Sequence, residues 1–63
     1  MLKIFLNKRE VTTYPHVDDE ELAAQIATQD SEVMDAYVDD MQIKGNNYTA
    51  FLKPNLPAEG FRL

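Results

Sequence analysis

The sequence of 63 residues contains no cysteine and no tryptophan, and it has a single serine and a single histidine. The absence of cysteine excludes a disulfide scaffold, a thiolate zinc site and a cysteine nucleophile. Ser31 is expected at a helix cap or turn, and His16 follows a proline in a connecting segment, so we predict structural roles for both. We therefore expect no catalytic residue, no metal site and no cofactor.

Glycine, long apolar runs and basic residues are also scarce. The only glycines, Gly45 and Gly60, are too far apart for a phosphate-binding loop. The N-terminal apolar run Ile4-Phe5-Leu6 is too short for a signal peptide or a membrane span, so we predict a cytoplasmic protein with no membrane contact. Six basic against eleven acidic residues do not provide the basic face that direct binding to nucleic acid requires.

Charge is distributed unevenly along the chain. Residues 10–43 contain ten acidic residues and no lysine or arginine, whereas residues 1–9 and 44–63 are mildly basic. A surface with one sign of charge attracts partners of the opposite sign and raises the rate of association. The predicted partner-binding acidic face consists of Asp18, Asp19, Glu20, Glu21, Asp30, Glu32, Asp35, Asp39 and Asp40. The alternative is a solvated surface that only keeps a small domain soluble.

The apolar pattern predicts two β-hairpins, one near each end of the chain. Residues 2–6 place Leu2, Ile4 and Leu6 on one face of a strand, and residues 11–14 are β-branched or aromatic, as is typical of a returning strand. Residues 41–44 and 48–52 form a second pair of strands around a Gly-Asn-Asn turn.

Between the two hairpins, the apolar residues recur at helical spacing. Residues 18–29 carry a narrow apolar stripe, and Asp18 is placed to act as N-cap. Residues 31–41 fit two patterns, of which we favour a second short helix from Ser31 to about Asp39. The alternative is one long bent strand over residues 33–44.

These elements predict an α+β fold in the order ββ-α-(α)-ββ, with one or two helices against a small, mostly antiparallel sheet of two hairpins. We predict a single domain over residues 1–53. Residues 54–63 contain two prolines and form a C-terminal tail that packs on the domain or extends from it.

Together these features predict a non-enzymatic protein-binding module. Its acidic face would dock on a protein with a basic surface, and the sharpest version is a nucleic-acid-binding protein, because carboxylates can imitate phosphates. Tyr37 is the first candidate for an apolar anchor. The size and the cysteine-free acidic composition are those expected of inhibitors and regulators encoded by phages and mobile elements.

A small structural or assembly subunit is the alternative function. A chain of this size can bury only a small core, which favours association with a second chain. Such a subunit would form a homodimer or a larger assembly through a sheet edge and the C-terminal tail.

Overall fold

Two β-hairpins and one helix between them make up the computed structural model, which describes residues 1–55. The elements follow in the order β1 (Leu2–Leu6), β2 (Arg9–Tyr14), α1 (Glu20–Val33), β3 (Ala36–Lys44) and β4 (Asn47–Pro54). The predicted α+β class and the predicted ββ-α-ββ order are therefore confirmed.

The four strands form one sheet in the order β2-β1-β4-β3. The first and last strands lie at its centre as a parallel pair, with Leu2 opposite Tyr48 and Leu6 opposite Leu52. Each hairpin adds one antiparallel edge strand. Because the central pair is parallel, the two hairpin turns lie at opposite ends of the sheet.

The core lies between α1 and one face of the sheet. Leu2, Ile4 and Leu52 are completely buried on the central strands, and Ala23 and Ala27 are completely buried on the helix. The small alanine side chains let the helix backbone approach the sheet closely. The central strands and the alanine stripe of α1 thus share one apolar layer.

The second helix predicted from Ser31 to Asp39 is wrong. Ser31 belongs to α1, which continues to Val33, and Asp35 then adopts a left-handed conformation with a φ of 55°. The chain turns there and enters β3. A β-bulge between Val38 and Asp40 shifts the strand by one residue, and this shift explains why the sequence does not alternate as a regular strand.

The helix also begins later than predicted. Asp19, and not Asp18, is the N-cap, and its carboxylate accepts a 2.9 Å hydrogen bond from the backbone N–H of Leu22. The two aspartates are adjacent and chemically equivalent, so the sequence alone does not distinguish them. At the other end of the chain, β4 includes Pro54, and the rest of the predicted tail (residues 56–63) lies outside the described residues.

Candidate protein-binding surface

The helical side of the molecule carries acidic residues without any basic ones. We define the acidic helix layer as residues 18–33, which contain Asp18, Asp19, Glu20, Glu21, Asp30 and Glu32 and no lysine or arginine. The basic residues of the described chain all lie on strands or at a hairpin turn: Lys3, Lys8, Arg9, Lys44 and Lys53. The uneven distribution of charge along the sequence thus becomes a difference in charge between the helix layer and the sheet layer.

The carboxylates of the acidic helix layer form two groups. Residues 18–21 lie at the start of α1, whereas Asp30 and Glu32 lie in its last turn, about 18 Å further along the helix axis. All are exposed except Asp30, which is half-buried. Negative charge stabilises the start of a helix and destabilises its end, and the last turn of α1 has no basic residue to compensate.

Asp30 has a structural partner within the chain. The hydroxyl of Tyr14 donates a 2.6 Å hydrogen bond to the Asp30 carboxylate. This hydrogen bond, together with burial and the negative charge of Asp30, raises the pKa of Tyr14 above its usual value. Asp30 therefore contributes less to a free acidic surface than its neighbour Glu32.

Asp35 also has a structural partner. Its carboxylate accepts a 3.2 Å hydrogen bond from the side-chain amide of Asn55, and its backbone carbonyl accepts a 3.1 Å bond from the Asn55 N–H. With its positive φ, Asp35 forms the junction between α1 and β3 and fixes the end of β4. A substitution that removes this acceptor or disfavours the positive φ would alter the fold as well as the surface.

Asp39 and Asp40 lie away from the acidic helix layer. Both sit at the bulge of β3 and, with Phe51 and Lys53, line a depression at the end of the sheet. Asp39 forms a 3.8 Å ion pair with Lys53, and both side chains are largely exposed. Among residues 1–55, no other lysine or arginine lies within 4.0 Å of a carboxylate oxygen.

Tyr37 is 45% exposed and lies opposite Lys53 in the β3–β4 pair, on the sheet face that points away from the helix. The structure therefore separates this candidate anchor from the acidic helix layer. The nine residues of the predicted acidic face do not lie on one helical surface, because residues 36–44 form a strand. A binding role for these residues stays a prediction.

An aromatic pair occupies that same face of the sheet. Phe5 and Phe51 are direct neighbours on the two central strands, and their rings stack with centroids 5.4 Å apart and planes 30° apart. No described element covers these half-buried rings. Sequence patterns do not reveal this pair, because adjacency of the first and last strands is a tertiary feature.

A groove that the sequence patterns do not predict lies between α1 and β3. Its volume is about 400 Å³, and its lining consists of Glu20, Ala24, Ala27, Thr28, Val38, Met41 and Ile43. The small residues lie on the helix and the larger apolar residues on the strand. Ala27 belongs to the predicted apolar stripe of the helix, which is the one sequence signal for this groove. The sequence predicts Met41 and Ile43 in a strand but Val38 in a second helix, so it does not show that these three residues form one wall.

The acidic residues at the start of α1 lie close enough to the sheet to affect it. Burial raises the pKa of Tyr48, and the negative charges of Asp19, Glu20 and Asp18 raise it further. Tyr48 lies at the start of β4, opposite Ile43. The start of α1, one end of the groove and the β3–β4 turn are thus neighbours in the structure.

Within residues 1–55, no group of three or more histidine, aspartate or glutamate side chains is arranged to hold a metal ion. The described part of the chain also has no helix with the length and apolar character needed to cross a bilayer. Comparisons with protein-family models, curated proteins and solved structures find no match to this chain.

Proposed function

We propose that this protein is a cytoplasmic, non-enzymatic binding module that docks its acidic helix layer on the basic surface of another protein. The observation that carries the proposal is the single sign of charge on the acidic helix layer. Six carboxylates and no cation lie in residues 18–33, whereas every basic residue of the described chain belongs to the sheet and its turns. An ordinary soluble surface mixes the two signs.

The end of α1 supports a role beyond solubility. A carboxylate in the last turn of a helix opposes the helix dipole and costs about 0.3–1 kcal/mol. Asp30 is compensated by the hydrogen bond from Tyr14, but Glu32 is exposed and has no lysine or arginine within 4.0 Å in residues 1–55. A cation supplied by a partner would remove this cost.

A nucleic-acid-binding protein is the partner class that fits best. The basic surface of such a protein neutralises a row of negative charges. The carboxylates of the acidic helix layer lie in two clusters, at the start and in the last turn of α1, and so present negative charge along about 18 Å. By occupying the basic surface of the partner, the module would act as its inhibitor or regulator.

Self-association through a sheet edge is less well supported. Both edge strands carry a register shift, in β2 opposite Ile4 and Phe5 and in β3 between Val38 and Asp40. Bulges and charged residues on edge strands hinder the pairing of one sheet with another. The carboxylates of Asp39 and Asp40 add such charge to β3.

The test begins with capture of the partner on the tagged protein at about 50 mM and about 200 mM salt, with and without competing DNA. The captured protein is then purified and its affinity measured by calorimetry. The informative variant is Glu21→Gln with Glu32→Gln, since both side chains are exposed on α1. The control is Asp39→Asn with Asp40→Asn, which changes net charge equally at the sheet.

We expect the helix variant to weaken binding by about threefold to tenfold at low salt and the sheet variant to have little effect. Binding should also weaken as the salt concentration rises. An equal loss in both variants would show that net charge alone matters. Affinity that does not change with salt contradicts electrostatic docking altogether.

A further inference from the structure

The groove between α1 and the edge strand β3 is open to solvent and mainly apolar. Val38, Met41 and Ile43 form its strand wall, and Ile43 remains 45% exposed although it is a large apolar residue. On the helix wall, Ala24 and Thr28 are too small to fill the space. The volume of about 400 Å³ lies in the lower part of the range of about 300–1,000 Å³ that is typical of binding sites.

The charge at this groove is negative. Glu20 lies in its lining, none of its seven lining residues is basic, and the helix wall belongs to the acidic helix layer. A partner that brings lysine or arginine beside an apolar side chain would satisfy both the charge and the apolar surface. An acidic segment or a nucleic acid would be repelled.

We propose that the groove receives one large apolar side chain from a segment of the partner in which lysine or arginine residues flank that side chain. This inference rests on the proposed function and identifies the apolar contact that accompanies acidic docking. Electrostatic attraction would set the rate of association, and burial of the apolar side chain would set the lifetime of the complex.

The bulge in β3 determines how the segment binds. Addition of a strand to an edge needs a regular row of free backbone N–H and C=O groups. The register shift between Val38 and Asp40 interrupts that row in the middle of β3. The segment therefore contacts the groove with its side chains and does not extend the sheet.

A second copy of this chain does not fit the groove equally well. In a symmetric dimer formed groove to groove, the acidic helix layers of the two copies would lie near each other, which brings like charges together. A basic partner has no such penalty. Charge therefore disfavours this symmetric dimer.

The test uses the full chain labelled with ¹⁵N and three synthetic helical peptides, followed by NMR. The first peptide has a leucine face and a lysine face, the second has alanine in place of leucine, and the third has glutamate in place of lysine. We expect the first peptide to cause saturable shifts at Ala24, Thr28, Val38 and Ile43. The second peptide should shift the NMR signals of the acidic helix layer only, and the third peptide should shift no signals.

Two matched pairs of variants locate the contact. Ile43→Thr removes apolar surface from the groove but keeps a β-branched residue, and Val11→Thr makes a comparable change on the other edge strand, where Val11 is 42% exposed. We expect Ile43→Thr to weaken binding of the leucine–lysine peptide by about fivefold and Val11→Thr to have little effect on this binding. Ala24→Leu, which fills the groove from the helix, should also weaken it, whereas Gln25→Leu on the outer helix surface should not.

The proposal that the groove binds an apolar side chain is overturned if the alanine–lysine peptide binds as tightly as the leucine–lysine peptide. It is also overturned if the largest NMR shift changes occur at Phe5 and Phe51. Either result leaves acidic docking intact. Acidic docking itself fails if the glutamine variants of Glu21 and Glu32 keep full affinity for the captured partner, or if that affinity does not change with salt. The two proposals can therefore fail separately.

Discussion

The hydroxyl of Tyr14 donates a 2.6 Å hydrogen bond to the carboxylate of Asp30 and so joins the edge strand β2 to the last part of helix α1. The donor and the acceptor are 16 residues apart in the chain. The bond places a neutral donor beside a carboxylate that the helix dipole disfavours. It also assigns a structural role to a residue that the sequence placed in the partner-binding face.

Removal of this hydrogen bond should destabilise the fold. Tyr14→Phe keeps the ring and its packing but leaves the half-buried Asp30 carboxylate without its donor. We expect the free energy of unfolding to fall by about 1–3 kcal/mol, the usual cost of leaving a buried hydrogen-bond partner unsatisfied. Urea unfolding followed by circular dichroism measures this loss. The control Tyr37→Phe, at an exposed position, should change stability by less than about 0.5 kcal/mol.

Stability should depend on pH in the alkaline range. The hydrogen bond to Asp30 is the main cause that raises the pKa of Tyr14 above 10.0, and burial is the main cause for Tyr48. The folded state therefore holds these protons more tightly than the unfolded state does. This contribution is complete below about pH 10 and is lost as pH rises through the raised pKa values.

Unfolding measured from pH 9 upwards should thus show a decreasing free energy of unfolding. The double variant Tyr14→Phe with Tyr48→Phe should show a flatter profile, since neither phenylalanine can ionise. An unchanged slope in the double variant would contradict the assignment of the raised pKa values to these tyrosines.

Asp35 should be sensitive to the shape of its side chain more than to its charge. Asp35→Asn retains an acceptor for the amide of Asn55 and tolerates the observed φ of 55°, so we expect little loss of stability. Asp35→Ala loses both features and should cost about 1–2 kcal/mol. Thermal unfolding of the two variants checks this difference. Equal destabilisation by both would show that the negative charge is what matters.

Asp19 and Asp18 provide a matched pair at the start of α1. Asp19→Ala removes the cap of the Leu22 N–H and should lower the free energy of unfolding by about 1 kcal/mol. Asp18→Ala removes the same charge from an exposed position outside the cap and should cost clearly less. Chemical denaturation of both variants distinguishes the cap from a general charge effect. A larger loss in Asp18→Ala would return the cap to the position that the sequence favoured.

Short-range patterns in the amino-acid sequence are sufficient to predict most of the local elements. Alternation and β-branched residues located the two hairpins, and the apolar stripe with its acidic first turn located most of α1. The scarcity of basic residues within residues 10–43 is likewise a property of composition. These features depend on neighbours within a few residues, so they are visible in the chain before it folds.

The conformation of residues 34–40 and the division of the acidic residues between helix and sheet depend on long-range contacts. The bulge at Asp39 breaks the two-residue period of β3, and only pairing with β4 makes this segment a strand. That pairing moved Asp39, Asp40 and Tyr37 away from the acidic helix layer. The parallel pairing of β1 with β4 placed Phe5 beside Phe51, and the packing of α1 on the sheet created the groove. These contacts join residues distant in the sequence, so local patterns do not specify them.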